Sequence, residues 1–152
     1  MNNKQDLDKD AIAYFFQLSN KMQKVFDQLL KYDDLTIKQL FLMIVIDSFD
    51  EVPNYSQVSK RFGTSHQNVK QIALKLKKNG FLKIKKDPND SRFRLLQLSQ
   101  KAKRYWQNRD KDDALLLQSI FFGISKDRMV EFIRLLQDIN NNINALEKGE
   151  KS

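Results

Sequence analysis

The sequence predicts a mainly α-helical chain that carries one small antiparallel β-hairpin. Apolar residues recur at steps of three and four over most of the length, which is the period of an amphipathic helix. Only residues 81–98 read as two short strands, joined by a turn that contains Pro and Asn. The hairpin follows two short helical segments separated by Gly63, so the middle of the chain is predicted to be a winged helix-turn-helix.

The charge of the chain is concentrated in the same region. The 152 residues carry a formal net charge of +8, yet residues 52–109 hold 15 basic and only two acidic side chains, Asp87 and Asp90. The segments on either side are net acidic. One basic block between two acidic arms indicates a surface that faces a polyanion.

The composition excludes several classes of site. There is no cysteine and one histidine, which excludes disulfides, thiol redox sensing and thiolate or multi-histidine metal sites, so no metal or cofactor is expected. The lone His66, without a Gly-rich phosphate loop, leaves no nucleophile–base pair, and we expect no enzyme activity. No apolar run reaches the ~20 residues of a membrane span and the N-terminus is unlike a signal peptide, so a cytoplasmic location without membrane contact is expected.

A long first helix is predicted from about residue 6 to residue 32, after a polar N-terminus that is expected to fray. Asp6 and its neighbouring aspartates favour a helix start. The apolar residues of this helix alternate steps of four and three, and they are Ala11, Phe15, Leu18, Met22, Val25 and Leu29. This stripe fits both the core helix of a monomer and a helix that packs on a partner subunit.

A second, buried helix is predicted over residues 37–49, with Thr36 as its N-cap. The run LMIVI inside it would also suit a strand, but thirteen contiguous residues after a cap favour a helix. Val52 is expected to add a single short strand to the hairpin sheet.

The helix-turn-helix itself is predicted from its caps. Asn54 caps a short helix over residues 55–62, and Gly63 supplies the left-handed residue that ends it. Ser65 caps the next helix, which runs to Asn79.

That helix divides into two faces at 100° per residue. The inward face is apolar and consists of Val69, Ile72, Ala73 and Leu76. The opposite face carries Gln67, Gln71, Leu74 and Lys78, flanked by Asn68, Lys70 and Lys75. Amides can pair with adenine and lysines can reach guanine or phosphate, so DNA contact is favoured over the alternative of a solvated polar face. Leu74 fits neither role, and its function stays open.

The hairpin tip has the composition of a DNA-binding wing. Lys85, Lys86, Arg92 and Arg94 place positive charge on a protruding turn, which suits a phosphate backbone or a narrow minor groove. An acid in such a turn is unexpected unless it orients an arginine, so an Asp90–Arg92 pair is predicted. The alternative is an ordinary exposed ion pair, which contributes little.

Two further helices are predicted after the hairpin. Ser99 caps one that runs to about Phe121, and Ser125 caps the last, over residues 126–147. The last helix repeats the three-and-four stripe of the first. A monomer of this size has too little core to cover both stripes, so a dimer is expected.

In its order of elements the chain resembles the MarR family of bacterial winged-helix regulators. The residues that carry the resemblance are the run SQVSKRFGTSHQNVKQIALKLKKNGFL, then Asp90-x-Arg92-x-Arg94, then Leu96-x-Leu98-Ser99. Ser99 and Ala102 stand where the family's L-T-x-x-G motif has threonine and glycine, and both suit a helix start.

The resemblance implies a homodimer formed by the terminal helices, a recognition helix at 65–79 in the major groove and a wing at 85–94 with Arg92 in the minor groove. It also implies a nucleoid-associated protein. Many members respond to small ligands, so a small-molecule effector stays open, whereas thiol sensing and the zinc-sensing type are excluded by composition.

The sequence therefore predicts one domain of residues 1–152, with a winged lobe at about 34–99 and dimerisation helices at about 6–32 and 99–148. The expected function is that of a sequence-specific transcriptional regulator, a homodimeric repressor on a pseudo-palindromic operator. The alternative is a winged-helix protein-interaction module without specific DNA binding. The predicted DNA-binding residues are Ser65, His66, Gln67, Asn68, Lys70, Gln71, Lys75, Lys86, Asp90, Arg92 and Arg94.

Overall fold

The computed structural model describes residues 3–149, apart from the side chain at position 110. The elements in chain order are α1 (Lys4–Leu29), α2 (Ile37–Asp47), α3 (Tyr55–Phe62), α4 (His66–Lys78), β1 (Leu82–Lys86), β2 (Arg94–Leu98), α5 (Gln100–Ile120) and α6 (Lys126–Glu147). The predicted fold class, mainly α with a small antiparallel wing, is confirmed. The chain forms two compact units, Met1–Gln107 and Asn108–Ser152, whose boundary falls within α5.

Helix α1 begins two residues earlier than predicted. The side chain of Asn3 caps it by accepting a hydrogen bond of 2.9 Å from the backbone N–H of Asp6. Fraying was expected over residues 1–5; Lys4 and Gln5 are helical, and residues 1 and 2 lie outside the described part of the chain. None of the residues of α1 is buried, and a 3₁₀ turn over Lys31–Asp33 follows it.

Helix α2 forms where a strand was the alternative. Thr36 and Gln39 make a reciprocal capping box, and the Asp27 carboxylate of α1 accepts a hydrogen bond of 2.6 Å from the Ile37 N–H. Two of the first N–H groups of α2 are therefore satisfied by side chains before any tertiary packing is counted. The helix ends at Asp47, two residues short of the predicted end at Phe49.

The helix-turn-helix follows the predicted caps. Asn54 and Gln57 make a second capping box at the start of α3, and Gly63 ends the helix at φ 75°. The Ser65 side chain accepts a hydrogen bond from the Asn68 N–H and so begins α4. Ser59 is buried, and its hydroxyl donates to the Tyr55 carbonyl at 2.7 Å.

Strands β1 and β2 pair antiparallel with Leu82 opposite Leu98 and Lys86 opposite Arg94. The prediction that Val52 adds a short strand is wrong. The Pro53 carbonyl accepts the Leu96 N–H at 2.8 Å, and the isolated bridge is made by Asn54 with Leu95. Val52 stays 42% exposed because it precedes the point where the chain meets the sheet.

The core lies in the first unit, between α2, α3, α4 and the hairpin. Its largest fully buried side chains are Leu30, Leu42, Met43, Val58, Val69, Leu76 and Leu96. Ser99 joins the hairpin to α5, since its hydroxyl donates to the Gly80 carbonyl at 2.7 Å and accepts from the Ala102 N–H at 3.2 Å. All the buried residues of this core belong to the first unit.

The second unit contains the end of α5 and all of α6. Ser125 caps α6 as predicted, and the helix covers the predicted range. Arg109 and Asp113 form a salt bridge of 2.9 Å within α5. Among the described residues, no helix is long and apolar enough to cross a membrane.

Candidate nucleic-acid interface

Helix α4 presents a mainly polar face because all of its apolar residues except Leu74 are packed in the core. Val69, Ala73 and Leu76 have no exposed surface, and Ile72 is 8% exposed. The face opposite this row is exposed and carries Gln67, Lys70, Gln71, Leu74 and Lys78. Lys70, Gln71 and Leu74 follow Gln67 by three, four and seven residues, which places these four side chains on one side of the helix. A recognition helix contacts base edges with such a set.

Two predicted readers at the start of α4 are already engaged within the protein. The Asn68 amide donates to the Thr64 hydroxyl at 3.0 Å and is half-buried. The Ser65 hydroxyl accepts the Asn68 N–H at 3.2 Å as the helix cap. Asn68 therefore lies at the side of the exposed polar face of α4, whereas Gln67 and Gln71 lie on it.

His66 is exposed at the first turn of α4, and its ring lies 5.2 Å from the ring of Tyr55. Tyr55 is 8% exposed, and burial raises the pKa of its phenol. The buried Tyr55 ring therefore packs against the ring of His66 at the start of α4.

The predicted Asp90–Arg92 pair is present at the wing tip. The carboxylate of Asp90 accepts hydrogen bonds from Arg92 Nε at 3.0 Å and from Nη2 at 2.6 Å, which is a two-point clamp on the guanidinium. It also accepts the Arg92 backbone N–H at 3.0 Å. The arginine beside it lowers the pKa of Asp90, and the carboxylate raises the pKa of Arg92, so both groups keep their charge.

The clamp leaves Arg92 available to a ligand. Its side chain is 83% exposed, whereas that of Asp90 is 29% exposed. The acid therefore lies against the turn and the guanidinium projects from it. An exposed pair of this kind adds little to stability, and its effect is to restrict the conformations of the arginine.

The other two predicted wing residues differ from each other. Arg94 folds back on the turn, because its Nη1 donates to the carbonyl of Ser91 at 2.8 Å and to that of Phe93 at 3.1 Å. Lys86 faces Arg94 across the sheet and is exposed. Of the three basic wing residues in the predicted site, Arg92 and Lys86 are therefore the exposed ones.

A cleft of about 250 Å³ flanks α4 on the Asn68 side. It lies between α1, the start of α2 and α4, and it is lined by Gln23, Asp27, Thr36, Lys38, Gln39, Asn68, Gln71, Ile72 and Lys75. Asn68, Gln71 and Lys75 are predicted site residues, whereas no residue of α1 or α2 was predicted to lie at the site. The only feature of the sequence near these α1 and α2 residues was the predicted N-cap at Thr36, and an N-cap does not indicate which other segments pack beside it.

Gln39 has an unusual position in this cleft. The residue is 6% exposed, and its Oε1 accepts the Thr36 N–H at 2.8 Å. Its Nε2 donates to no other described residue. Gln39 is thus mostly buried but keeps a donor that no described residue accepts, and Lys38 and Lys75 line the same cleft. Within residues 3–149 no group of three acidic, histidine or cysteine side chains could hold a metal ion.

These features define a winged helix-turn-helix protein whose second helix has a mainly polar exposed face, with a clamped wing arginine and a cleft lined by two lysines beside that helix. No protein-family model and no curated protein matches the sequence. Its structure, in contrast, is similar to solved structures of MarR-type regulators over nearly its whole length. Because the identities are low, the likeness shows the fold: the chain has the MarR fold.

Three solved structures illustrate the likeness. A MarR protein from Peptoclostridium difficile is 18% identical, with a TM-score of 0.83 over 99% of this chain and 97% of the other. S. aureus MepR, in a complex with DNA, is 15% identical, with a TM-score of 0.76 over 87% of this chain and 97% of that one. Bordetella bronchiseptica BpsR, whose DNA binding is regulated by 6-hydroxynicotinic acid, is 18% identical, with a TM-score of 0.70 over 86% and 98%.

Proposed function

We propose that this protein is a sequence-specific DNA-binding transcriptional regulator that binds a pseudo-palindromic operator as a homodimer and acts as a repressor. The observation that carries the proposal is the Asp90 clamp, which holds the Arg92 guanidinium projecting from the only hairpin of the described chain. An acid in the most basic part of the sequence has a reason to be there if it aims an arginine. MepR has the same fold and binds DNA, which supports the proposal.

In the proposed complex α4 lies in the major groove. Gln67 and Gln71 are exposed amides without a hydrogen-bond partner among the described residues, and amides of this kind can make paired bonds to adenine. Lys70 lies between them on the same face and can reach a guanine edge or a phosphate. Asn68 contributes by fixing Thr64 and the start of the helix, and it has to release Thr64 before it can read a base.

The wing enters the adjacent minor groove. Its negative potential attracts arginine most strongly where the groove is narrow, as in A-tracts. Arg92 makes this contact, while Lys86 lies along the backbone. Arg94 supports the turn from within, because its guanidinium is held by two backbone carbonyls.

The cleft beside α4 takes a phosphate of the DNA backbone. Lys38 and Lys75 supply positive charge, and the Gln39 amide supplies a donor that lacks a partner within the described chain. Backbone contacts fix the register of a protein on the duplex without reading its sequence. The negative charge of the Asp27 carboxylate repels the phosphate less than a free carboxylate would, because it already accepts a hydrogen bond from the Ile37 N–H at 2.6 Å.

The terminal helices form the dimer. Helix α1 has no buried residue and eight exposed large hydrophobic side chains, among them Leu18 at 50% and Val25 at 46%. Helix α6 has no buried residue either, and Ile133 and Ile143 are 47% and 50% exposed. Helices with so many exposed large hydrophobic side chains are rare on a monomer, and a second copy with the same stripes would cover them.

Dimer formation is tested by placing a charge in the stripe. Leu18→Asp should shift the protein from dimer to monomer in sedimentation equilibrium, because an unpaired carboxylate would be buried in the interface. Asn20→Asp on the polar side of α1 is the matched control and should leave the dimer intact. A wild-type protein that sediments as a monomer at all concentrations would contradict the dimer.

A small-molecule effector is a further part of the proposal. BpsR responds to an aromatic acid, and in this chain Trp106 has a buried indole N–H without a hydrogen-bond partner among the described residues. It lies beside Tyr105, whose ring contacts Phe81. An aromatic anion could satisfy this donor. If so, aromatic acids should raise the melting temperature of wild type more than that of Trp106→Phe, which lacks the donor.

The primary experiment is selection of a binding sequence from random duplexes, followed by footprinting. We expect an inverted repeat whose half-sites are about 10 base pairs apart, since two recognition helices enter successive major grooves. The alternative function is a protein-interaction module, to which the exposed Leu74 lends its only support. That alternative predicts no enrichment of any sequence and no retention of duplexes at physiological salt.

A further inference from the structure

Leu74 is the one apolar side chain that α4 leaves exposed. It has 48% of its surface accessible, whereas Val69, Ala73 and Leu76 on the same helix have none and Ile72 has 8%. The core therefore does not account for Leu74. A leucine in that place has an apolar surface that remains in water unless a ligand covers it.

The surroundings of Leu74 favour DNA over a protein as that ligand. At 100° per residue it shares its side of the helix with Gln67, Lys70 and Lys78, and Gln71 lies next to it. The lysines of this face would repel a basic protein partner. A neutral protein partner would find only the small apolar surface of Leu74. A duplex complements both features, because its major groove combines flanking phosphates with one apolar group, the C5-methyl of thymine.

We propose that Leu74 contacts the C5-methyl group of a thymine in the operator and so selects thymine at that position. The proposal rests on the proposed DNA-binding function. Leu74 lies seven residues beyond Gln67, or about 10 Å along the helix axis. With about 3.4 Å per base pair, the thymine should lie at most about three base pairs from the base that Gln67 contacts.

Replacing a thymidine of the operator by deoxyuridine tests the methyl contact separately from all other protein–DNA contacts. Deoxyuridine differs from thymidine only in lacking the methyl group, so base pairing and the hydrogen-bonding pattern in the groove are unchanged. Each thymine of the selected operator is replaced singly, and affinity is measured by fluorescence anisotropy. At one thymine per half-site wild type should lose about fourfold in affinity, the effect of leaving one methylene-sized group unburied.

The variant test asks whether that loss depends on Leu74. Leu74→Ala should bind thymine and deoxyuridine operators equally at that position, whereas Leu74→Met, which keeps an apolar side chain, should retain most of the difference. Gln67→Ala should bind more weakly overall yet keep the thymine preference. Since Leu74 is not in the core, the alanine variant should fold, which circular dichroism checks.

The outcomes distinguish failure of the inference from failure of the proposed function. If wild type selects an operator but no thymine is methyl-sensitive, or if Leu74→Ala keeps the difference, Leu74 does not read thymine. If Leu74→Ala instead loses only a protein partner while DNA binding is unchanged, the surface belongs to that partner. If wild type selects no operator at all, the proposed function fails and this inference fails with it.

Discussion

Two acids in the wing allow a decisive test of the Asp90 clamp. Asp87 and Asp90 are the only acidic residues in the basic block, and Asp→Asn at either position removes one negative charge while keeping an oxygen acceptor. If wing charge alone mattered, both variants would bind DNA more tightly. The clamp predicts that Asp87→Asn binds as well as wild type or better, whereas Asp90→Asn binds more weakly.

The size of the effect follows from the contacts that each variant loses. Asp90 accepts Arg92 Nε at 3.0 Å and Nη2 at 2.6 Å. An asparagine in its place would turn an amide NH₂ towards a guanidinium donor, so one arm of the clamp is lost. The freed arginine must then be ordered on entering the groove, which weakens binding on the order of tenfold per lobe. The opposing gain from removing an exposed acid is less than about fivefold.

Asp87 is the matched control because it does not hold an arginine. Its carboxylate accepts the Asn89 N–H at 2.8 Å, and asparagine keeps this bond. Fluorescence anisotropy at fixed ionic strength, with the operator and a random duplex, gives the comparison. The loss in Asp90→Asn should be larger on the operator. Equal tightening of both variants would refute the clamp and leave Asp90 as a simple repulsive charge.

The remaining predictions concern charge, pH and stability. Lys75→Gln should reduce the slope of log affinity against log salt by about one per lobe, whereas Lys103→Gln on α5 should not, which a salt titration measures. Because Arg92 lowers the pKa of Asp90, the clamp is fully formed above the usual carboxyl pKa and is lost only as the pH falls through the lowered value. DNA binding should therefore show no change that depends on the wing between about pH 5 and about 9. Ser99→Ala should lower the free energy of unfolding by about 1–2 kcal/mol in urea, since the hydroxyl caps α5 and bonds the Gly80 carbonyl.

Local features could be predicted from the sequence because they depend on residues a few positions apart. The caps at Asn54, Ser65 and Ser125 and the left-handed Gly63 each involve neighbours within one helical turn. The Asp90–Arg92 pair is also local, separated by two residues. In such cases the chemistry of one short segment decides the conformation, whatever the rest of the chain does.

Features that depend on distant segments were not predictable in this way. The proximity of Lys38 to Lys75 results from the packing of α2 against α4, which no pattern in either helix specifies. Arg94 looked equivalent to Arg92 in the sequence, yet two carbonyls of the turn bind its guanidinium. The bridge at Asn54 in place of Val52 depends on where the Pro53 carbonyl meets β2.

The separation of charge and apolar surface along the chain argues that DNA binding and dimer formation can be perturbed independently. The basic residues are concentrated between 52 and 109, whereas the stripes of α1 and α6 lie in net acidic segments. The core that holds α4 and the wing draws its buried side chains from Leu30 to Ala102 and takes none from within α1 or α6. A charge placed in the α1 stripe should therefore leave the lobe folded and the wing clamp intact. The operator affinity would then fall towards that of one lobe on one half-site, because the second contact would no longer be intramolecular.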